Sequence, residues 1–182
     1  MNRNLLIASV SIVALAAGAA ISARNEHTHP LPKWPAFSEF RGFEGWSVIA
    51  VSQNGGKIAA ILGNPTIMAA YESGVPGNGK PFPNGSRMAK VHWIPRNQQT
   101  QPGDPVVPGA LHDVDFMVKD SKRFADSGGW GFAAFEYEAK SGKFRPANVT
   151  DSPPEGNDAK CGYACHTIAK NHDFVFTEFA KR

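Results

Sequence analysis

Residues 45–63 read "GWSVIAVSQNGGKIAAILG". Two apolar runs flank Asn54-Gly55, a dipeptide suited to the positive φ of a tight hairpin turn, so the stretch predicts two paired antiparallel strands. The same pattern recurs down the chain. "RMAKVHWI" (87–94) and "HDVDFMVK" (112–119) read as strands, and "WGFAAFEYEAKSGKFRP" (130–146) reads as a strand that turns at Ser141-Gly142. Helical signals are few. "NPTIMAAYESG" (64–74) has Asn64 as a cap, Pro65 in the first turn and Gly74 at the end, and "DSKRFADSGG" (120–129) holds a turn or two. Short strands between turn signals, with few helices, predict a mainly β (α+β) fold: an antiparallel sheet domain with small helices.

Strand alternation sorts the third segment into faces. Met88, Lys90 and His92 share one side, and Ala89, Val91 and Trp93 the other. The segments "GVPGNGKPFPNGS" (74–86), "RNQQTQPGDPVVPG" (96–109) and "NVTDSPPEGNDAK" (148–160) read as loops. On its strand His92 reads as a surface histidine, and Phe132, Phe135 and Tyr137 as core aromatics with the option of walling a pocket.

The N-terminus sets the compartment. Residues 1–23, "MNRNLLIASVSIVALAAGAAISA", carry one charge, Arg3, before an apolar run and small residues, the layout of a cleaved secretory signal peptide; an uncleaved anchor is the alternative. A Pro-rich lead-in (24–45) follows, in which His27 and His29 read as solvated, and the domain proper occupies 46–182. The 182-residue chain has a formal net charge of +3; loss of Arg3 leaves 18 basic against 16 acidic side chains, or +2. No basic stripe suggests a nucleic acid partner. Export points to the periplasm, where two cysteines are bridged or carry a cofactor.

Those cysteines lie in "DAKCGYACHTIAKNHDFVFTEF" (158–179). Haem attachment reads C-x-x-C-H, whereas here three residues separate Cys161 from Cys165, and His166 follows directly. In a haem site the two thiols would add to the vinyl groups, His166 would ligate iron, and Gly162 would let the loop bulge around the extra residue. A Cys161–Cys165 disulfide would close a loop too small to constrain much chain. A zinc site drawing on Cys161, Cys165, His166 and His172 is the remaining option. Met68, Met88 and Met117 have no context that marks a sixth iron ligand.

The segment "CHTIAKNHDFVFTEF", preceded by "FMVKDSKRFADSGGWGFAAFEY", resembles the cytochrome P-460 family, which includes the cytochromes c′-beta. The likeness is dense from Asp115 to Phe179 and collinear from Trp46 to Trp93. It implies a homodimeric, mostly antiparallel β protein with one covalent haem c per chain, bound through Cys161, Cys165 and His166 and open on the distal side. In the enzymatic branch a lysine after "F-x-D-G-T-x-x-x-K" is linked to the porphyrin and hydroxylamine is oxidised; "FPNGSRMAK" here puts Lys90 at that place. The second-sphere carboxylate falls on Asp115, where a glutamate is expected. Electrons would pass to a redox carrier protein. The c′-beta branch instead binds nitric oxide and similar ligands without turnover.

Overall fold

A computed structural model describes residues 42–147 and 159–179. The expected signal peptide, nearly all of the lead-in and the Asn148-Val149-Thr150 stretch lie outside those residues. Six strands form one sheet in the order of the chain: β1 (Ser47–Asn54), β2 (Lys57–Gly63), β3 (Arg87–Asn97), β4 (Val106–Lys119), β5 (Trp130–Glu138) and β6 (Lys143–Pro146). Every neighbouring pair is antiparallel. The fold is mainly β with few helices, as expected. Two α-helices accompany the sheet, α1 (Pro65–Glu72) and α2 (Ala159–His166).

The local chemistry explains most boundaries. Asn54 pairs with Lys57, so the opening hairpin turns on Gly55 and Gly56, with φ of 57° and 73°. Positive φ at both central residues suits the right-handed twist of the flanking strands, and glycine adopts it without a Cβ clash. Asn64 caps α1, its Oδ1 accepting from the Ile67 N–H at 3.2 Å and from the Arg87 N–H at 3.0 Å, so one side chain ties the helix start to β3. The sequence read residues 96–109 as a loop. Instead β3 runs on to Asn97 and β4 starts at Val106, leaving 98–105 as the connection, and Pro95 lies opposite Pro108 beside register shifts between His92 and Pro95. Prolines lack a ladder donor, and a bulged stretch tolerates them.

Both faces of the sheet are apolar. On one, Phe43, Ala89, Val91, Val114, Phe116, Ala133 and Phe135 form a buried cluster. On the other, Ile61, Met88, Met117, Trp130 and Phe132 pack with α1 and with Val175 of the C-terminal segment. Met88, Lys90 and His92 do share a face, opposite Ala89 and Val91. The same alternation sends Phe132 to the second face but Phe135 to the first, and Tyr137 packs on Phe144 beside that first cluster. Of the three aromatics, Phe132 alone is placed to wall a cavity on the second face.

Candidate functional site

The site lies between the second face and the C-terminal segment. Cross-strand register builds it in rows. Met88 pairs with Met117, which pairs with Phe132; Lys90 pairs with Asp115; His92 pairs with Asp113. The face therefore runs from an apolar end to a charged end. α2 lies across β5. A Cβ on Gly162 would stand 2.7 Å from the Phe132 Cβ, so this glycine permits close helix–strand packing. The expectation that Gly162 frees a bulged loop is thereby corrected. Cys161 to His166 form a continuous helix, and the additional residue is absorbed as helical spacing.

His166 ends α2 and lines two adjoining cavities of about 140 Å³ and 330 Å³, which share Ile61, Met88, Lys90, Met117 and Thr177 as walls. Asp115, Phe132 and Gly162 complete the smaller one. The larger opens along Val51, Ser52 and Phe176. The sequence's three pocket residues, Lys90, Asp115 and His166, thus meet at one cleft. Met88 and Met117 line it too, while Met68 is buried in the core. Cys161 and Cys165 are exposed, unbridged thiols one helical turn apart. Among the described residues, Cys161, Cys165, His166 and His172 do not gather as a metal site; the gathering of such side chains is His92, Asp113 and Asp115.

The imidazole of His166 is held in a defined state. Its Nδ1 lies 2.7 Å from the Phe174 carbonyl oxygen, which can only accept, so Nδ1 carries the proton and Nε2 keeps its lone pair. Phe132 and Phe176 flank the ring at centroid distances of 5.0 Å and 4.9 Å. Burial holds the His166 pKa below its ordinary value, the carbonyl opposes that, and the Lys90 charge adds to it. A neutral imidazole ligates iron without first losing a proton.

A clamp fixes the carbonyl. After α2 the chain makes a 3-10 turn (Thr167–His172), then Asp173 and Phe174 take φ of 50° and 64°. Asp173 Oδ1 accepts from Lys119 Nζ at 2.7 Å, and its Oδ2 accepts from the Phe82 N–H at 2.8 Å. Lys119 also donates to the Gly128 carbonyl at 3.0 Å and lies over the Trp130 ring. This buried ion pair, 54 residues apart in sequence, was not legible in the chain.

Asp115 lines the smaller cavity, and its side chain is 47 % exposed. Burial raises its pKa above the carboxylate norm, the neighbouring Asp113 charge helps, and His92, Lys90 and Lys57 oppose it. A folded-state pKa above the unfolded one contributes stability at low pH that is lost as pH rises through the folded value. Asp115→Asn is therefore expected to raise the thermal midpoint at pH 7, with the gain shrinking as pH falls below the unfolded-state value of about 3.9, where the parent's carboxyl becomes protonated in both states. Melting curves of the two proteins across that range check it.

His92 is not a surface residue. Its side chain is 12 % exposed and its Nδ1 lies against the Asp113 carboxylate. A single strand shows which way His92 points, but not which acid lies opposite; β4 supplies that.

An imidazole with its Nε2 free beside an apolar-walled cleft, and two free thiols on the same helix, fits the iron, the porphyrin faces and the vinyl groups of a haem. The class is thus a haem-binding protein. The chain belongs to the cytochrome P460 family, whose model, described as "Cytochrome P460", matches residues 40–177. Membership supports a c-type haem cytochrome and implies a haem cofactor. No curated protein matches the chain.

Proposed function

We propose that this protein is a periplasmic mono-haem cytochrome that oxidises hydroxylamine at an open distal haem site. The observation that carries this reading is the pairing of Lys90 with Asp115 across β3 and β4, at a cleft that His166 also lines. Haem, bound through His166 and held by Cys161 and Cys165, supplies the centre that takes electrons. The protein's residues do the rest. Lys90 lines the cleft with His166 and, as the family resemblance implies, would be the additional covalent link to the porphyrin. Met88, Met117, Phe132 and Ile61 exclude bulk water from the cleft, which strengthens electrostatics inside it. Asp115, as a carboxylate, takes a proton from the substrate within about 3 Å or through one water.

Hydroxylamine losing two electrons and two protons becomes nitroxyl, HNO. The electrons leave one at a time to a redox carrier protein, and a single carboxylate holds only one of the protons. Export through the N-terminal signal and assembly as a homodimer complete the reading.

The test uses protein made with c-type maturation factors. A pyridine haemochrome spectrum is expected to report covalent haem, and mass spectrometry of the haem peptide to find Lys90 linked to porphyrin. Lys90→Ala is expected to shift the Soret band and to abolish hydroxylamine turnover. An unchanged band, with no turnover in the parent, would leave the nitric-oxide-binding reading of the same scaffold; absence of covalent haem would remove both.

A further inference from the structure

Beside the cleft, three metal-ligating side chains converge from neighbouring strands. His92 of β3 and Asp113 and Asp115 of β4 offer ligand atoms that all lie within 4.8 Å of one another. Alternation along β4 puts both aspartates on one face, and the β3–β4 register sets His92 opposite Asp113. His92 Nδ1 touches Asp113 Oδ1 and lies 3.8 Å from Asp115 Oδ2.

We propose that His92 Nδ1, Asp113 Oδ1 and Asp115 Oδ2 form a binding site for one divalent first-row transition-metal ion.

Hydrogen bonding does not account for the arrangement. His92 Nδ1 and Asp113 Oδ1 are both shut off from solvent, yet neither has a hydrogen-bond partner. They touch without the alignment that an N–H···O bond needs. Buried polar atoms in this condition call for a water or an ion. Two ligands of one ion need no such alignment, because each directs its lone pair at the metal and not at the other.

The spacing fits as well. Zinc bonds of about 2.0–2.2 Å place two ligands about 3 Å apart at right angles and about 4 Å apart when opposite. The 3.8 Å between His92 Nδ1 and Asp115 Oδ2 is too long for a hydrogen bond and falls inside that range. The tighter contact with Asp113 Oδ1 opens slightly as the ion enters. Outer contacts already orient Asp113: its other oxygen, Oδ2, is 2.6 Å from Lys57 Nζ and 2.5 Å from His112 Nδ1. Those partners hold the carboxylate and leave Oδ1 for the metal, as partners of metal-ligating carboxylates do.

The competing explanation is a histidine cation bridging two acids. Lys57 beside Asp113 and Lys90 opposite Asp115 already supply one positive charge for each carboxylate, so charge balance does not require a third. The same lysines repel an incoming ion, so binding is weaker than at a structural zinc centre. One imidazole with two carboxylates suits Zn²⁺, Fe²⁺ or Mn²⁺, whereas Ca²⁺ takes about six to eight oxygens. Asp115 belongs both to this site and to the smaller cavity, so a bound ion orients Asp115 and adds positive charge at the cleft wall. The site stands apart from the hydroxylamine reading, in which His92 and Asp113 take no part.

The experiment titrates the haem-loaded protein, first dialysed against a chelator, with Zn²⁺ in a calorimeter. One Zn²⁺ per chain is expected at this site, above any background from other histidines that all variants share. His92→Gln is expected to remove that event. Asp115→Asn is expected to weaken it by more than the roughly tenfold that even outer partners contribute. Asp115 is half-exposed, so its variant keeps its fold even where His92→Gln does not. Zinc-soaked crystals of the parent are expected to show anomalous density about 2.0–2.2 Å from all three atoms. Titrations that are identical for the parent and both variants, or zinc found only on other histidines, overturn the site. So does a water molecule, at saturating zinc, in the place of the ion.

Discussion

Asp173→Asn is expected to lower the thermal midpoint by roughly 10 °C and to weaken the hold on His166. The substitution is nearly isosteric, and asparagine tolerates the left-handed φ of 50° at this position, so backbone strain is not the cause. What is lost is the charge. Lys119 is 5 % exposed and would remain as a buried cation with its carboxylate partner gone. Removing one member of a buried pair typically costs about 3–5 kcal/mol. Replacing both, as in Lys119→Met with Asp173→Asn, is expected to recover part of that, because the stranded charge disappears too. The chemical consequence follows from geometry. Asp173 anchors the turn that presents the Phe174 carbonyl to His166 Nδ1 at 2.7 Å. With the turn loosened, Nδ1–H loses its acceptor and the imidazole its fixed orientation. Partners of this kind typically alter metal affinity or activity by about 10–100-fold. Thermal melts of the three proteins, with the iron–histidine stretch in resonance Raman spectra, check both halves. An unmoved stretch in a destabilised variant would confine Asp173 to holding the fold.

How far the chain announces this arrangement depends on the reach of each interaction. Local chemistry was readable: the first hairpin, the Asn64 cap and the strand faces of Met88, Lys90 and His92 all depend on residues a few positions apart. The turn centre still moved one residue, to Gly55-Gly56, because two adjacent glycines compete for the positive-φ positions. The prolines at 95, 102, 105 and 108 hid the extension of β3 and β4, since proline ordinarily argues against a strand interior. Pairing across strands was not readable from any one segment. His92 looked like a surface residue because a strand shows its own face and not its neighbour's acid. The alternation Asp113-Val114-Asp115 was the available signal: two acids on one face opposite Lys90 and His92 would have suggested the charged row. The Lys119–Asp173 clamp had no such signal, because it joins elements far apart in the chain.

The second large effect concerns the widened cysteine spacing. Cys165→Ala is expected to abolish stable covalent haem, whereas Cys161→Ala is expected to leave a single thioether. The two thiols differ in what stands beside them. Cys165 is joined to His166, whose imidazole is fixed by the Phe174 carbonyl and flanked by Phe132 and Phe176. A bond made at Cys165 therefore forms next to an already oriented iron ligand, where little freedom remains to be lost. Cys161 stands one turn back on α2, and four-residue helical spacing keeps it on the same side as Cys165. Both thiols are exposed and free, so a second thioether needs no disulfide to be broken. The helix, and not a bulged loop, sets the separation of the two sulfurs. Replacement of Gly162 is expected to disturb attachment for a related reason: any side chain there meets Phe132 and lifts α2, carrying both cysteines and His166 away from the cleft. Haem staining after denaturation separates covalent from dissociable haem. The pyridine haemochrome α band separates two thioethers from one, because a remaining vinyl group extends conjugation and moves the band to longer wavelength. A parent whose band already matches one free vinyl would show that Cys161 makes no bond. In that case Cys161→Ala would leave the spectrum unchanged, and His166 with Cys165 would carry the whole attachment.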